Sequence, residues 1–186
     1  MGIKTLCCFD EKEHLHRKEY GMGKITIDRS KPFNPGEFIG LGWSIWRGRG
    51  QKDGDGLKGE EEQDKRALAI TEVDLNNIRF ETTLRSGEKS VKGEEKLKRL
   101  EVFGCVCLDA KFFQTLWENQ DIIPEKWKES PGGETAFIFF DGTVLRNPGG
   151  IRYILYLYWL GDEWNWDFNW LGGDWDVCGK SAVLVS

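Results

Sequence analysis

Five of the nine tryptophans in this 186-residue chain, Trp159, Trp164, Trp166, Trp170 and Trp175, fall between Tyr158 and Asp176. Between them stand Asn, Asp, Gly, Tyr and Phe. These residue types supply recognition rather than bond-breaking chemistry: aromatic rings offer rigid contact area, and Asn, Asp and Gly an adaptable polar fit. The tryptophan intervals hold neither a period of two nor one of 3.6 for long. The run therefore predicts neither an amphipathic helix nor a clean two-faced strand. It predicts a fixed aromatic scaffold separating positions that can vary.

The genetic code sharpens this expectation. Randomising the adenines of an Asn codon (AAC or AAT) yields Asn, Asp, Gly, Tyr, Phe, Cys, Val, Leu and Ser among others, and never Trp, Lys, Glu, Gln or Met. The Trp codon, TGG, has no adenine to change. Asn165, Asp167, Phe168, Asn169, Gly172, Gly173, Asp174, Asp176, Val177, Cys178 and Gly179 fit such an origin, whereas Glu163 and Lys180 do not.

Two stretches carry a family resemblance. One runs from Phe139 to the C-terminus: Phe-Phe-Asp-Gly-Thr-Val-Leu-Arg-Asn-Pro, then Tyr-Leu-Tyr-Trp, the Trp-rich run and Ser-Ala-Val-Leu. The other is Leu108 to Asn119 followed by Ile123-Pro124-Glu125-Lys126-Trp127. Together they resemble the variable proteins of diversity-generating retroelements, over about residues 23–186. The resemblance implies a C-type lectin fold and a C-terminal variable region at about 153–180 written by adenine-specific mutagenesis. It also implies a binding face built from the varied side chains. Ligand contact is expected at Tyr156, Tyr158, Asp162, Asn165, Asp167, Phe168, Asn169, Gly172, Gly173, Asp174, Asp176, Val177 and Cys178. Trp159, Trp164, Trp166, Trp170 and Trp175 are expected to serve mainly as scaffold. The alternative is an undiversified protein of the same fold, either a sugar-binding lectin or a formylglycine-generating-type enzyme.

Other chemistries find less support. Asp53-Gly54-Asp55-Gly56-Leu57, with Glu60, Glu61, Glu62 and Asp64, fails the EF-hand spacing: Leu57 takes a ligand position and Lys58 that of the glycine. A solvated acidic loop is expected. The Glu-Pro-Asn, Gln-Pro-Asp and Trp-Asn-Asp triplets of calcium-dependent lectins are absent, with Trp164-Asn165-Trp166 standing instead. The only histidines, His14 and His16, lie in a charged N-terminal stretch, which argues against a His-based triad. Cys105 and Cys107 flank Val106 in an apolar run and read as buried thiols; Cys178 reads as one product of codon randomisation. The five cysteines (Cys7 and Cys8 are the others) form no even, dispersed set, so reduced thiols are expected. Neither metal nor cofactor is expected.

A net charge of −5 leaves no basic field for a nucleic-acid backbone. No apolar run reaches the roughly 18 residues that suggest a membrane span. The start lacks a signal peptide's apolar stretch, which makes the cytoplasm the default compartment. A protein ligand and a monomeric state are expected.

The elements that must position these residues follow from periodicity. Residues 1–22 read as a polar extension, with the lectin-like domain over 23–186. Strands are expected at Lys24–Asp28, Gly42–Trp46 and Ile78–Thr82, a long loop at Gly48–Glu62, and a strand or short helix at Ala67–Val73. Helices are expected at Gly93–Val102, with Leu97 and Leu100 inward, and after an Asp109 N-cap, with Phe112, Phe113, Leu116 and Trp117 on one face and Pro124 ending it. A meander then follows: Thr135–Phe140, Thr143–Leu145 and Arg152–Trp159, with Ile154 and Leu157 inward, and Ser181–Val185 closing. Trp43, Trp46, Trp117 and Trp127 are expected to be structural. The fold class is α+β: two helices with short antiparallel sheets and long loops.

Overall fold

A computed structural model describes residues 23–48, 55–129 and 133–185. The N-terminal extension with His14, His16, Cys7 and Cys8 lies outside them, as do Asp53 and Gly54 of the acidic loop. Among the described residues the chain forms four α-helices and twelve strands, an α+β arrangement dominated by sheet. Among the described residues no helix is long and apolar enough to cross a membrane.

In chain order the elements are β1 (Lys24–Thr26), α1 (Pro35–Phe38), β2 (Ser44–Ile45), α2 (Lys65–Leu68), β3 (Glu72–Asp74), β4 (Ile78–Glu81), β5 (Ser90–Lys92), α3 (Gly93–Phe103), β6 (Val106–Cys107), α4 (Ala110–Glu118), β7 (Phe137–Phe139), β8 (Leu145–Arg146), β9 (Arg152–Leu160), β10 (Glu163–Trp170), β11 (Asp174–Asp176) and β12 (Gly179–Leu184). Residues 67–73, ambiguous by periodicity, divide into the end of α2 and the start of β3.

The two expected helices form for the expected reasons, with one correction. Asp109 caps α4 by accepting the Phe112 backbone N–H at 2.9 Å, and its other oxygen takes Arg29 Nη1 at 2.5 Å. Pro124 does not end the helix. Asn119 does: its side-chain amide donates to the Thr115 carbonyl at 2.8 Å, and a 3-10 turn at Gln120–Ile122 follows. α3 begins with Glu94 and Glu95 near the positive end of its dipole and closes at Gly104, whose φ of 71° few other residues adopt cheaply.

An eight-stranded sheet runs in the order β2-β8-β9-β7-β12-β4, with β10 on the other edge of β9 and β6 against β12. The expected all-antiparallel meander needs correction, because β12 returns parallel to β7 before pairing antiparallel with β4. Both β7 and β8 lie along one edge of β9, and the chain breaks between them at Asp141-Gly142. Apolar clusters pack on both faces of the sheet. Ile138, Phe140, Leu155, Leu157, Trp164 and Ala182 join the main core with Phe112, Phe113 and Leu116 of α4. Phe139, Val144 and Ile154 join a second cluster with Val91, Leu171 and Trp175. Ile154 and Leu157 are both buried, but three residues apart on a strand they enter different clusters. Fully burying an apolar side chain of this kind contributes roughly 1.5–3 kcal/mol, and Trp127, Phe112, Phe113 and Phe140 are among the largest such groups.

The Trp-rich run is where sequence periodicity misleads most. Residues 163–170 are one strand, β10, paired along its whole length with β9. Trp164, Trp166, Phe168 and Trp170 follow a strict period of two. The irregularity comes from reading β10 together with its neighbouring strands, β9 and β11, which contribute Trp159 and Trp175. The β9–β10 connection is a two-residue turn, Gly161-Asp162, with φ of 65° and 66°. Positive φ at both central positions is the type I′ geometry that matches the twist of a hairpin.

Candidate ligand-binding face

Directly paired residues of an antiparallel ladder point to the same face, and the β9–β10 register sorts the hairpin into two. Trp164, Trp166, Phe168 and Trp170 pair with Trp159, Leu157, Leu155 and Tyr153; Asn165, Asp167 and Asn169 pair with Tyr158, Tyr156 and Ile154. The first set faces the main core. Trp166 packs 5.0 Å from Phe38, 6.0 Å from Phe113 and 6.4 Å from Trp117 between ring centroids. The second set lies on the opposite face, beside the second cluster.

On that second face the rings form a chain. Trp175 stacks 4.2 Å from Phe139, Phe139 lies 4.8 Å from Tyr156, and Tyr156 lies 5.6 Å from Tyr158. Phe137 touches both tyrosines, at 5.7 and 5.6 Å. Together with Asn169, Asp174, Asp176 and Gly179, the rings of Phe137, Phe139, Tyr156 and Trp175 line a cavity of about 230 Å³. At its edge stand the exposed carboxylates of Asp174 and Asp176, with Asp167 outside the lining but on the same face. Asp167 stands directly across from Tyr156; Asp174 and Asp176 pair β11 with β5, where Lys92 reaches Asp174 at 2.9 Å. Tyr156 is pushed up to about 12, first by burial and then by the negative charge of Asp167 and by Tyr158.

Of the thirteen residues expected to contact ligand, the structure brings together Tyr156, Tyr158, Asn165, Asp167, Asn169, Asp174 and Asp176 on this face. The others sit differently. Asp162 is the exposed second residue of the hairpin turn. Phe168 points to the core side, 4.5 Å from Trp43 and 5.1 Å from Tyr153. Gly172 and Gly173 form the turn after β10, in which Gly173 N–H donates to the Trp170 carbonyl. A Cβ at Gly172 would lie 2.3 Å from the Trp170 ring, so a larger residue there requires that ring to move. Val177 and Cys178 occupy the β11–β12 turn, where the Cys178 thiol lies 3.4 Å from Glu134 and is raised by burial and by that contact.

No protein-family model, curated protein or solved structure matches this chain. Its site must therefore be read from geometry.

The five scaffold tryptophans divide as well. Trp164 and Trp175 are buried; Trp175 donates its indole N–H to the Trp170 carbonyl at 3.3 Å. Trp159 is partly buried, edge-on to Trp164 at 5.4 Å, with the Lys128 ammonium 3.5 Å above its ring. Trp170 has 52% of its surface exposed.

Beneath the aromatic chain lies a group that sequence reading passed over. Lys96 and Asp141 are both fully buried, Nζ lying 2.8 and 2.9 Å from the two carboxylate oxygens. The ammonium also sits 4.2 Å from the Trp175 ring and 4.7 Å from that of Phe139. Burial pushes the Lys96 pKa down, and Asp141 opposes that shift. The position of Lys96, one residue before Leu97 on α3, looks like any exposed lysine in sequence. Phe137 and Phe139 were also missed, though their alternation about Ile138 puts them on one face. What sequence lacks is the β7–β9 pairing that sets them beside Tyr156.

A larger cavity, of about 640 Å³, opens elsewhere between residues 60–66 and α3, with Cys107 and Asp141 in its wall. Cys105 and Cys107 are buried free thiols, as expected. The neighbouring Cys107 thiol pushes the Cys105 thiol down, while Cys105 and burial push Cys107 up. Among the described residues no three His, Cys, Asp or Glu side chains are placed to hold a metal ion.

Proposed function

We propose that this chain is a non-enzymatic binding protein, with a C-type lectin-like fold, whose C-terminal face is diversified by adenine-specific retroelement mutagenesis to recognise varying protein ligands. The observation that carries this reading is the division of β10. Its three positions on the open face, Asn165, Asp167 and Asn169, are all products an Asn codon can give when its adenines change. The tryptophans at 164, 166 and 170, which such mutagenesis cannot touch, all lie on the core face. A mutator of this kind would rewrite the recognition surface and leave the packing alone. Phe168 on the core side is the exception, and it fills space between Trp43 and Tyr153.

The supporting strand is well suited to the task. Sites carried on strands hold geometry better than sites on loops, and rings already packed against one another lose little freedom when a ligand arrives. Binding would come from Tyr156 and Tyr158 with direct hydrogen bonds from Asn165, Asp167 and Asn169, needing neither metal nor cofactor.

The test is genomic. DNA flanking the coding sequence should hold a near-copy of the segment for residues 153–180, differing only at adenines, next to a reverse-transcriptase gene. A complete flanking sequence with neither would remove diversification from this account.

A further inference from the structure

Resting on that reading, we propose the chemistry of the ligand this face takes: a lysine or arginine side chain of a protein partner, seated in the cavity over Tyr156 and Trp175 and held by Asp167 and Asp176. Three observations lead there. The first is the cavity's make-up, aromatic on its floor and anionic at its edge. Ring faces carry negative electrostatic potential and attract cations placed within about 6 Å. Carboxylates strengthen the same preference.

The second is the charge pattern. Asp174 is paired with Lys92, but Asp167 and Asp176 make no ion pair with a described residue. Asp167 accepts only the neighbouring Phe168 N–H, and Asp176 the Cys178 N–H. An anionic partner would be repelled by this rim, and an apolar one would strip water from carboxylates without replacing it. A cationic side chain satisfies both the rings and the acids. Lys96 beneath the rings does not spoil the site, because both oxygens of Asp141 meet its ammonium and the pair carries no net charge.

The third is size. At about 230 Å³ the cavity falls below the ~300–1,000 Å³ typical of sites for whole small molecules. It fits one side chain projecting from a larger surface.

The experiment pans a displayed random-peptide library on the full chain and measures the affinity of the selected peptides for four proteins: the parent, Asp167→Asn, Asp176→Asn, and the double variant Tyr156→Ala/Tyr158→Ala. Circular dichroism confirms that each is folded. The proposal expects selected peptides enriched in Lys and Arg. Their affinity should fall on the order of fivefold or more in each Asn variant and weaken as salt rises from about 0.05 to about 0.5 M. Peptides lost in the tyrosine variant, but not enriched in Lys and Arg and indifferent to the Asn changes, would overturn the cationic assignment and leave the binding face in place. Peptides that bind the folded tyrosine variant as well as the parent would overturn the cationic assignment and the binding face together.

Discussion

Lys96 on α3 and Asp141 at the break between β7 and β8 form an ion pair with neither side chain exposed, closed by two hydrogen bonds of 2.9 and 2.8 Å. The pair ties the helix to the strand edge directly under the rings of Phe139 and Trp175. Removing one partner strands the other charge without water. Asp141→Leu or Lys96→Met should each cost about 3–5 kcal/mol, whereas the two together should cost much less than the sum, since an apolar pair leaves no orphan charge. Urea unfolding of the three variants gives the double-mutant cycle, and additive costs would show that the pair is not coupled.

The two faces of β10 should differ sharply in tolerance. Asn165→Ser, Asp167→Ser and Asn169→Ser should each stay within about 0.5 kcal/mol. Trp166→Ala, which empties a space between Phe38, Phe113 and Trp117, should fall toward the lower end of the ~3–5 kcal/mol typical for Trp. Trp170→Ala should cost only about 1–2 kcal/mol, because half of its ring is already in water. Thermal melts that reverse this order would undo the assignment of faces.

The hairpin turn makes a separate prediction. Gly161 and Asp162 both hold a left-handed conformation, which costs an ordinary L-residue roughly 1–2 kcal/mol. Gly161→Val should lose at least that much, and Asp162→Gly should be neutral or stabilising. Equal melting temperatures for Gly161→Val and the parent would contradict the turn geometry.

How far these relationships were legible in the sequence depends on which force sets them. Helix α4 was legible almost residue by residue, because Asp109 as cap and the spacing of Phe112, Phe113 and Leu116 are local signals. The α+β class was legible too. The strand nature of 163–170 was hidden because Trp159 and Trp175 belong to neighbouring segments and blur the period of two. The ring chain from Trp175 to Tyr158 was out of reach, since it depends on β7, β9 and β11 meeting across long sequence separations. Lys96–Asp141 was equally hidden, as nothing local distinguishes a buried lysine from a solvated one. The segment from Tyr156 to Cys178 was marked out by composition, but the sorting of Phe168 to the other side of the sheet needed the register.

Tyr156 gives a spectroscopic reading of the face. Its hydroxyl is pushed up to about 12 by burial first and by Asp167 second. Asp167→Asn should therefore lower its titration midpoint part of the way toward the ordinary value of 10.0, as followed by tyrosinate absorbance against a Tyr156→Phe control. Because the folded value is raised, the corresponding stability is fully present below pH 10 and is lost as pH rises toward 12. A midpoint unmoved by Asp167→Asn would place that carboxylate away from the ring.

The acid limb has a different origin. Arg99 holds Glu88 down to about 2 from 4.5 through a charge-assisted hydrogen bond, with the Arg85 backbone N–H assisting. A depressed carboxyl contributes stability above pH 4.5 that drains away as pH falls toward 2. Glu88→Gln should flatten the stability profile in that window and leave its slope at neutral pH unchanged, as measured by denaturant midpoints across pH. An unchanged acid slope would detach Glu88 from acid unfolding.

The central claim, that the open face of the β9–β10 hairpin is an adaptable recognition surface on a fixed scaffold, is tested most directly by selection. A library in which only Tyr156, Tyr158, Asn165, Asp167 and Asn169 are varied, through codons derived from Asn, is displayed and panned against a single folded protein. The affinity of each recovered variant is then measured with and without EDTA. The account predicts folded variants that bind that target, do so equally in EDTA, and lose binding when the five positions are returned to the parental residues. A library that folds but yields no binder, or binding that EDTA abolishes, would contradict it.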